Sequence, residues 1–164
     1  MNASTESPVV RLPRSALSSL FRRCGTLGES GIEALREAGD RVGAELLETL
    51  AASPATLPAS EFWSRLDAAI RGAGLGSVSF RPADTGTGAI SWRGSAEAPG
   101  RSPDEPCCHF ATGVLGGVLS RTAHRPVAVV EVRCGGGQPC WFLFGAAERI
   151  RRVRGGRDTG RARR

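Results

Sequence analysis

The fold of this chain is decided by residues 107–144, which read CCHFATGVLGGVLSRTAHRPVAVVEVRCGGGQPCWFLF. Apolar side chains recur at helical spacing over residues 107–121 and predict a helix there. The glycines Gly113, Gly116 and Gly117 weaken that helix, because glycine loses the most conformational freedom on folding. We therefore expect a close approach between this helix and a neighbour to offset their cost.

The rest of this segment predicts a hairpin. Residues 126–134 and 140–144 are rich in β-branched and aromatic side chains, and a glycine-bearing turn separates them. A second hairpin is predicted upstream, where the alternating runs 77–81 and 89–92 flank a turn-rich sequence. The two hairpins together supply four short strands.

Helical patterns precede these strands. The first runs from Pro13 to Gly25. The second starts from an N-cap at Ser30 and stops before Pro54, and the third starts at Ser60 and ends in glycines. The chain therefore predicts an α+β fold in which helices pack on a four-stranded antiparallel sheet.

The expected organisation is a flexible N-terminus over residues 1–12, a single domain over 13–148 and a disordered, arginine-rich tail over 149–164. Within the domain, residues 13–75 form the helical half. Residues 76–148 form the half that holds the sheet and the candidate metal site.

The positive charge of the chain lies in its tail. The formal net charge is +6, but residues 149–164 contain eight arginines and one aspartate, which leaves the other residues close to neutral. We therefore expect no nucleic-acid binding by the folded part, and only the tail could attract phosphates.

Cys108, Glu131, Cys134 and Cys140 form the clearest candidate site, with the spacing C-x22-E-x2-C-x5-C. Three thiols and a carboxylate suit zinc, and four protein ligands are typical of a structural ion. Cys108 precedes the predicted helix, whose N-terminus should lower the pKa of its thiol. On a regular strand Glu131 and Cys134 would face opposite sides, so we expect the ladder to bend near Arg133.

The cysteines could also form disulfides or pack as small apolar side chains, and the residues alone leave both alternatives open. Residues 1–13 contain neither the basic start nor the apolar stretch of an export signal, so we expect a reducing cytoplasm, which disfavours disulfides. No segment of the sequence is apolar enough to span a membrane. Cys24 is expected to pack in the core, and Cys107 to be a neighbour of the metal site.

The segment from Cys107 to Ala146 resembles the 4-vinyl reductase (4VR) domain family. The family pattern is a cysteine, a G-x3-G helix, a strand ending in E-x2-C, and a short glycine-bearing turn to C-x-F. The positions that match this pattern are Cys108, Gly113, Gly117, Glu131, Cys134, Cys140 and Phe142. The helical first half of the chain matches only in outline.

The resemblance implies a fold like that of the vesicle-tethering TRAPP subunits, and commonly a homodimer. It also implies zinc at the four positions given above, as in bacterial relatives that sense phenols and switch on transcription. In those relatives the metal braces a pocket for a small hydrophobic ligand.

These features favour a non-enzymatic, zinc-braced sensor or carrier that binds a small hydrophobic or aromatic ligand and signals to a separate protein. The candidate pocket residues are Trp63, Phe80, Trp92, His109 and Phe110. Each aromatic residue is more often simply part of a core, and a histidine at a helix start more often lies on the surface.

Two alternatives remain. The first is an accessory protein or vinyl reductase of tetrapyrrole (bacteriochlorophyll) biosynthesis. An enzyme is the less favoured interpretation, because the sequence has no dinucleotide-binding motif and no tyrosine to donate a proton. The second is a dimeric protein–protein adaptor with a filled core. A cavity lined by the aromatic residues would favour the sensor over the adaptor.

Overall fold

The computed structural model describes residues 12–50, 56–83, 86–100, 106–134 and 137–153. The predicted flexible residues up to 11 and the tail beyond 153 lie outside these ranges. The elements in chain order are α1 (Arg14–Gly25), α2 (Glu29–Thr49), α3 (Ala59–Gly72), β1 (Ser77–Pro82), β2 (Thr87–Arg93), α4 (His109–Thr122), β3 (Ala128–Arg133) and β4 (Cys140–Gly145). A short helical segment over residues 147–153 follows β4. None of the described helices is long and apolar enough to cross a membrane.

The strands form one antiparallel sheet in the order β1-β2-β4-β3. Both predicted hairpins are present, and β2 and β4 join them in the middle, where Ile90 pairs with Phe142. These two side chains are fully buried and share a core with Leu66 of α3 and Leu115 of α4. The predicted α+β fold, with helices on a four-stranded antiparallel sheet, is confirmed.

Helices α2 and α4 pack closely because glycines remove side chains from their interface. A Cβ atom added to Gly113 would fall on the carbonyl oxygen of Arg36, and one added to Gly117 would lie 2.7 Å from the carbonyl oxygen of Asp40. The predicted close approach is therefore confirmed for these two glycines. It is wrong for Gly116, because an added Cβ there would meet no described atom within 4 Å.

Two boundaries differ from the predictions. Gly28 is the N-cap of α2, and Ser30 is not a cap because its hydroxyl group donates to the carbonyl oxygen of Leu27. Residues 149–153, expected in the disordered tail, belong to a helical segment. The cause is Ile150, an apolar side chain that is only 4% exposed and so holds this segment against the domain.

An ion pair joins α2 to α4 and affects the titration of Asp40. Arg121 donates two hydrogen bonds of 2.8 Å to the carboxylate of Asp40 and holds the pKa of Asp40 below its ordinary value of 3.8. Because the folded-state pKa is lowered, the contribution of this pair to stability is present above about pH 4 and is lost as the pH falls through the folded-state value.

Arg121→Gln should therefore raise the pKa of Asp40. We expect it to lower the free energy of unfolding at neutral pH by less than about 1 kcal/mol, because both side chains are nearly half exposed and water screens their attraction. An NMR titration of the Asp40 carboxyl group measures the change. An identical titration curve in both proteins would contradict the assigned role of Arg121.

Candidate functional site

The four predicted ligand residues come together where α4 begins and the second hairpin opens. Cys108 is the N-cap of α4, Cys134 directly follows β3, and Cys140 begins β4. β3 has an irregularity between Glu131 and Arg133, as predicted. This bulge allows both Glu131 and Cys134 to be buried, with exposed fractions of 8% and 1%.

The thiols of this cluster are in mutual contact. The Sγ atom of Cys108 is 3.3 Å from that of Cys140, 3.9 Å from that of Cys134 and 3.7 Å from that of Cys107. Cys107 was predicted only as a neighbour, but its Sγ atom lies at bonding distance from that of Cys134, and their Cα atoms are 6.4 Å apart. A disulfide between these two residues and a metal ion held by the cluster are therefore two states that this chemistry allows.

Glu131 joins the thiols to the start of α4. Its Oε2 atom accepts hydrogen bonds from the backbone N–H groups of Cys107 (2.6 Å) and Cys108 (3.0 Å). Its Oε1 atom is buried and has no hydrogen-bond partner among the described residues. Burial raises the pKa of this carboxyl group. A buried oxygen without a partner, placed beside thiols, is a free donor for a cation.

A second buried carboxylate, that of Glu97, caps the same helix. Its two oxygen atoms accept hydrogen bonds from the backbone N–H groups of Phe110 (2.8 Å) and Ala111 (2.9 Å). Burial raises the pKa of Glu97 to about 7, although the two N–H groups act in the opposite direction. Sequence reasoning missed Glu97, because capping patterns are recognised within a few residues of a helix start and this cap comes from a distant loop.

The thiol of Cys108 does not have the low pKa expected at a helix N-terminus. Its pKa is raised by the hydrogen bond to Cys140, by burial and by the nearby negative charge of Glu131. The expectation is wrong because the carboxylate of Glu131 already occupies the N–H groups at this helix end. A divalent cation would reverse the effect, since it stabilises the thiolate and replaces the S–H hydrogen bond.

The donor atoms of this cluster fit a metal ion. Cys107, Cys108, Glu131 and Cys134 offer atoms that all lie within 4.8 Å of one another, and all four residues are buried. Cys140 adds another thiol through its contact with Cys108. Thiolates and a carboxylate are the donors that zinc prefers, so these residues could hold such an ion. Cys24, by contrast, is a half-buried free thiol on α1.

A cavity of about 70 Å³ lies beside the cluster, between α1 and the start of α4. Leu17 and Phe21 line it from α1, and Phe21 stacks on Phe110 with ring centroids 5.1 Å apart. Phe110 and Trp92, two of the predicted pocket residues, line the same cavity. The wall is therefore mostly apolar and aromatic.

Residues 94–97, called the 94–97 loop, connect the cavity to the thiols. Ser95 and Glu97 line the cavity. The hydroxyl group of Ser95 lies 3.8 Å from the Sγ atom of Cys108, and the main-chain oxygen of Glu97 accepts a hydrogen bond of 3.9 Å from the thiol of Cys107. One short loop thus contacts both the cavity and the metal-binding candidates.

The other predicted pocket residues lie elsewhere. Trp63 and Phe80 stack with ring centroids 4.6 Å apart, and Phe144 packs against both. These rings fill space between α3 and the sheet. His109 lines a separate surface groove of about 320 Å³ beside β3. The five predicted residues therefore do not form a single pocket.

Residues 89–146 match the family model of the vinyl-4-reductase (4VR) domain, which confirms the predicted resemblance. The phenol-responsive sensory domain of the transcription activator PoxR, whose crystal structure contains phenol, is similar with a TM-score of 0.67 and 21% identity over 85% of this chain and 77% of that one. A vinyl-4-reductase family protein from Methanocaldococcus jannaschii has a TM-score of 0.45 and 19% identity over 79% of this chain and 91% of that one. No curated protein sequence matches this chain. The similarity to the PoxR domain supports the fold.

Proposed function

We propose that this chain is a non-enzymatic sensor or carrier domain, in which zinc held by the cysteine cluster braces a cavity for a small aromatic or hydrophobic molecule. The observation that carries this proposal is the 94–97 loop. Its Ser95 and Glu97 line the cavity and contact the thiols of Cys108 and Cys107. A change on one side of the loop can therefore be felt on the other.

The proposed zinc ligands are Cys108, Glu131, Cys134 and Cys140. Four protein donors fill a tetrahedral site, and a filled site is structural because it leaves no position for a catalytic water. Such an ion would connect the start of α4 to both strands of the second hairpin. It would thereby hold the 94–97 loop and the cavity wall in place.

The size of the cavity indicates that α1 moves when a ligand binds. About 70 Å³ is roughly half of the 150 Å³ that accommodates benzene in an engineered protein cavity. Helix α1 has no fully buried residue, and Arg14 and Ser18 attach it to the loop through hydrogen bonds to the main-chain oxygens of Ser95 and Ala96. An outward shift of α1 would enlarge the cavity at small cost.

The fold of the PoxR sensory domain supports this proposal, since that related fold belongs to a phenol-responsive protein. The domain that we propose for this function spans residues 13–148. A homodimer, a cytoplasmic location and a separate signalling partner stay predictions from the sequence. A reducing compartment would keep the thiols available for zinc.

A cavity-filling variant tests the proposed site with phenol as the probe. Leu17→Trp should weaken phenol binding at least tenfold, because the larger ring would occupy the cavity from the α1 side. It should change the free energy of unfolding by less than about 1.5 kcal/mol, since Leu17 is only half-buried. Calorimetric titration of the zinc-loaded protein measures the affinity.

The matched control is Leu20→Trp on the same helix. Leu20 is 53% exposed and does not line the cavity, so this variant should bind phenol like the wild type. Equal weakening by both variants would point to a general effect on α1. Wild-type affinity in Leu17→Trp would place any phenol site elsewhere, and no binding by the wild type would favour the adaptor.

A further inference from the structure

The polar part of the cavity wall contains a buried carboxylate with unused acceptor capacity. Glu97 is 5% exposed and lines the cavity. Its carboxylate accepts one hydrogen bond from Phe110 and one from Ala111, one at each oxygen atom. A carboxylate has about four acceptor positions, so each oxygen atom retains one.

The other polar side chains of this wall are committed to different contacts. Arg14 donates to the main-chain oxygen of Ser95. The hydroxyl group of Ser95 accepts a hydrogen bond from the backbone N–H group of Glu97 and touches the thiol of Cys108. Phe21, Trp92 and Phe110 contribute aromatic surface. The wall thus combines apolar rings with one strong, partly unused acceptor.

We propose that Glu97 is a specificity-determining residue, which selects aromatic ligands that carry a hydrogen-bond donor. This inference rests on the proposed function, because it assigns a ligand class to the same cavity. A hydroxyl or amino group on a single aromatic ring would donate to a free acceptor position of Glu97, while the ring packs against Phe110 and Trp92. A ligand without a donor would leave that buried acceptor unpaired, which lowers its affinity.

The same residue would couple the ligand to the metal cluster. Glu97 holds the N–H groups in the first turn of α4, and its main-chain oxygen contacts the thiol of Cys107. Cys108 lies at the N-cap of that turn. A hydrogen bond from a ligand to Glu97 would therefore act at the helix start that carries a proposed zinc ligand.

The test compares two probes of similar size, phenol and fluorobenzene, of which only phenol has a donor. Dissociation constants are measured for the zinc-loaded wild-type protein and for Glu97→Gln. The wild type should bind phenol at least tenfold more tightly than fluorobenzene. In Glu97→Gln this preference should fall to less than threefold, with the affinity for fluorobenzene nearly unchanged.

The pattern of results separates specificity from structure. If Glu97 only supports α4, the variant will weaken both probes equally and keep the preference for phenol, which would overturn the inference. If Glu97→Gln does not fold, the wild type decides alone, because equal affinity for the two probes excludes a selective acceptor. Binding of neither probe by the wild type would instead refute the proposed ligand-binding function.

Discussion

Replacing Cys108 by serine should lower the free energy of unfolding by at least about 3 kcal/mol and abolish stoichiometric zinc binding. In a structural site the free energy of metal binding is part of the free energy of folding, and amounts to about 10–16 kcal/mol in small zinc domains. Cys108 is fully buried and contacts the other three thiols of the cluster. Elemental analysis and urea unfolding under reducing conditions measure the two effects.

Cys108 is the most informative position because it distinguishes the two states of the cluster. A disulfide between Cys107 and Cys134 does not require Cys108, whereas the proposed zinc site does. The matched control is Cys24→Ser on α1, which should leave both metal content and stability unchanged. If Cys108→Ser retains zinc and wild-type stability, the structural-zinc proposal fails. Destabilisation of the wild type by a reductant but not by a chelator would favour the disulfide.

The cluster holds more donors than a tetrahedral ion uses, and the same measurements identify the surplus one. The proposed ligand set predicts that Cys140→Ser loses zinc and that Cys107→Ser retains it. The opposite result would assign Cys107 in place of Cys140, in agreement with the short distances among Cys107, Cys108, Glu131 and Cys134. Either result would establish which thiol the sequence spacing should include.

Much of this fold is predictable because its elements have local signals. The alternating runs and turn residues of the two hairpins lie within a few residues of each other, and all four predicted strands are present. The irregularity in β3 was also predictable, since Glu131 and Cys134 can share one side only if the strand alternation is broken. Helix starts were less certain, because Gly28 and Ser30 are both acceptable caps in isolation.

The site was predictable only in the part that sequence spacing records. Cysteines and a glutamate at the ends of strands and helices indicated the cluster, and the structure brings those residues together. Glu97 and the role of the 94–97 loop depend on contacts between distant segments, for which the sequence has no local signal. The same limit affects the aromatic residues, since Trp63 and Trp92 have similar patterns but lie in different parts of the core.

Gly113→Ala should lower the free energy of unfolding by about 3 kcal/mol and the melting temperature by about 6–12 °C. The added Cβ would meet the main-chain oxygen of Arg36, which cannot move aside as the end of a flexible side chain could. The clash is reciprocal in kind, because an added Cβ at Gly39 of α2 would meet the main-chain oxygen of Phe110 on α4. The two helices would therefore have to separate.

Gly116→Ala is the matched control, three residues further along the same helix. Alanine favours a helix over glycine by about 1 kcal/mol at either position, and at Gly116 the new methyl group meets no described atom. This variant should therefore be as stable as the wild type or slightly more stable. Thermal unfolding of both variants isolates the packing term, and equal stability of the two would contradict the close helix contact.

The consequences of Gly113→Ala should extend to the metal cluster. Gly113 and Cys108 lie on the first turns of one helix, so a shift of α4 away from α2 would also move the Cys108 thiol relative to Cys134 and Cys140. A tetrahedral site tolerates little displacement of a ligand, so zinc affinity should fall together with stability. If the variant is destabilised but holds zinc as tightly as the wild type, the start of α4 is positioned by the metal and Glu131 rather than by the helix pair. The close packing of α2 and α4 would then stabilise the fold without shaping its site.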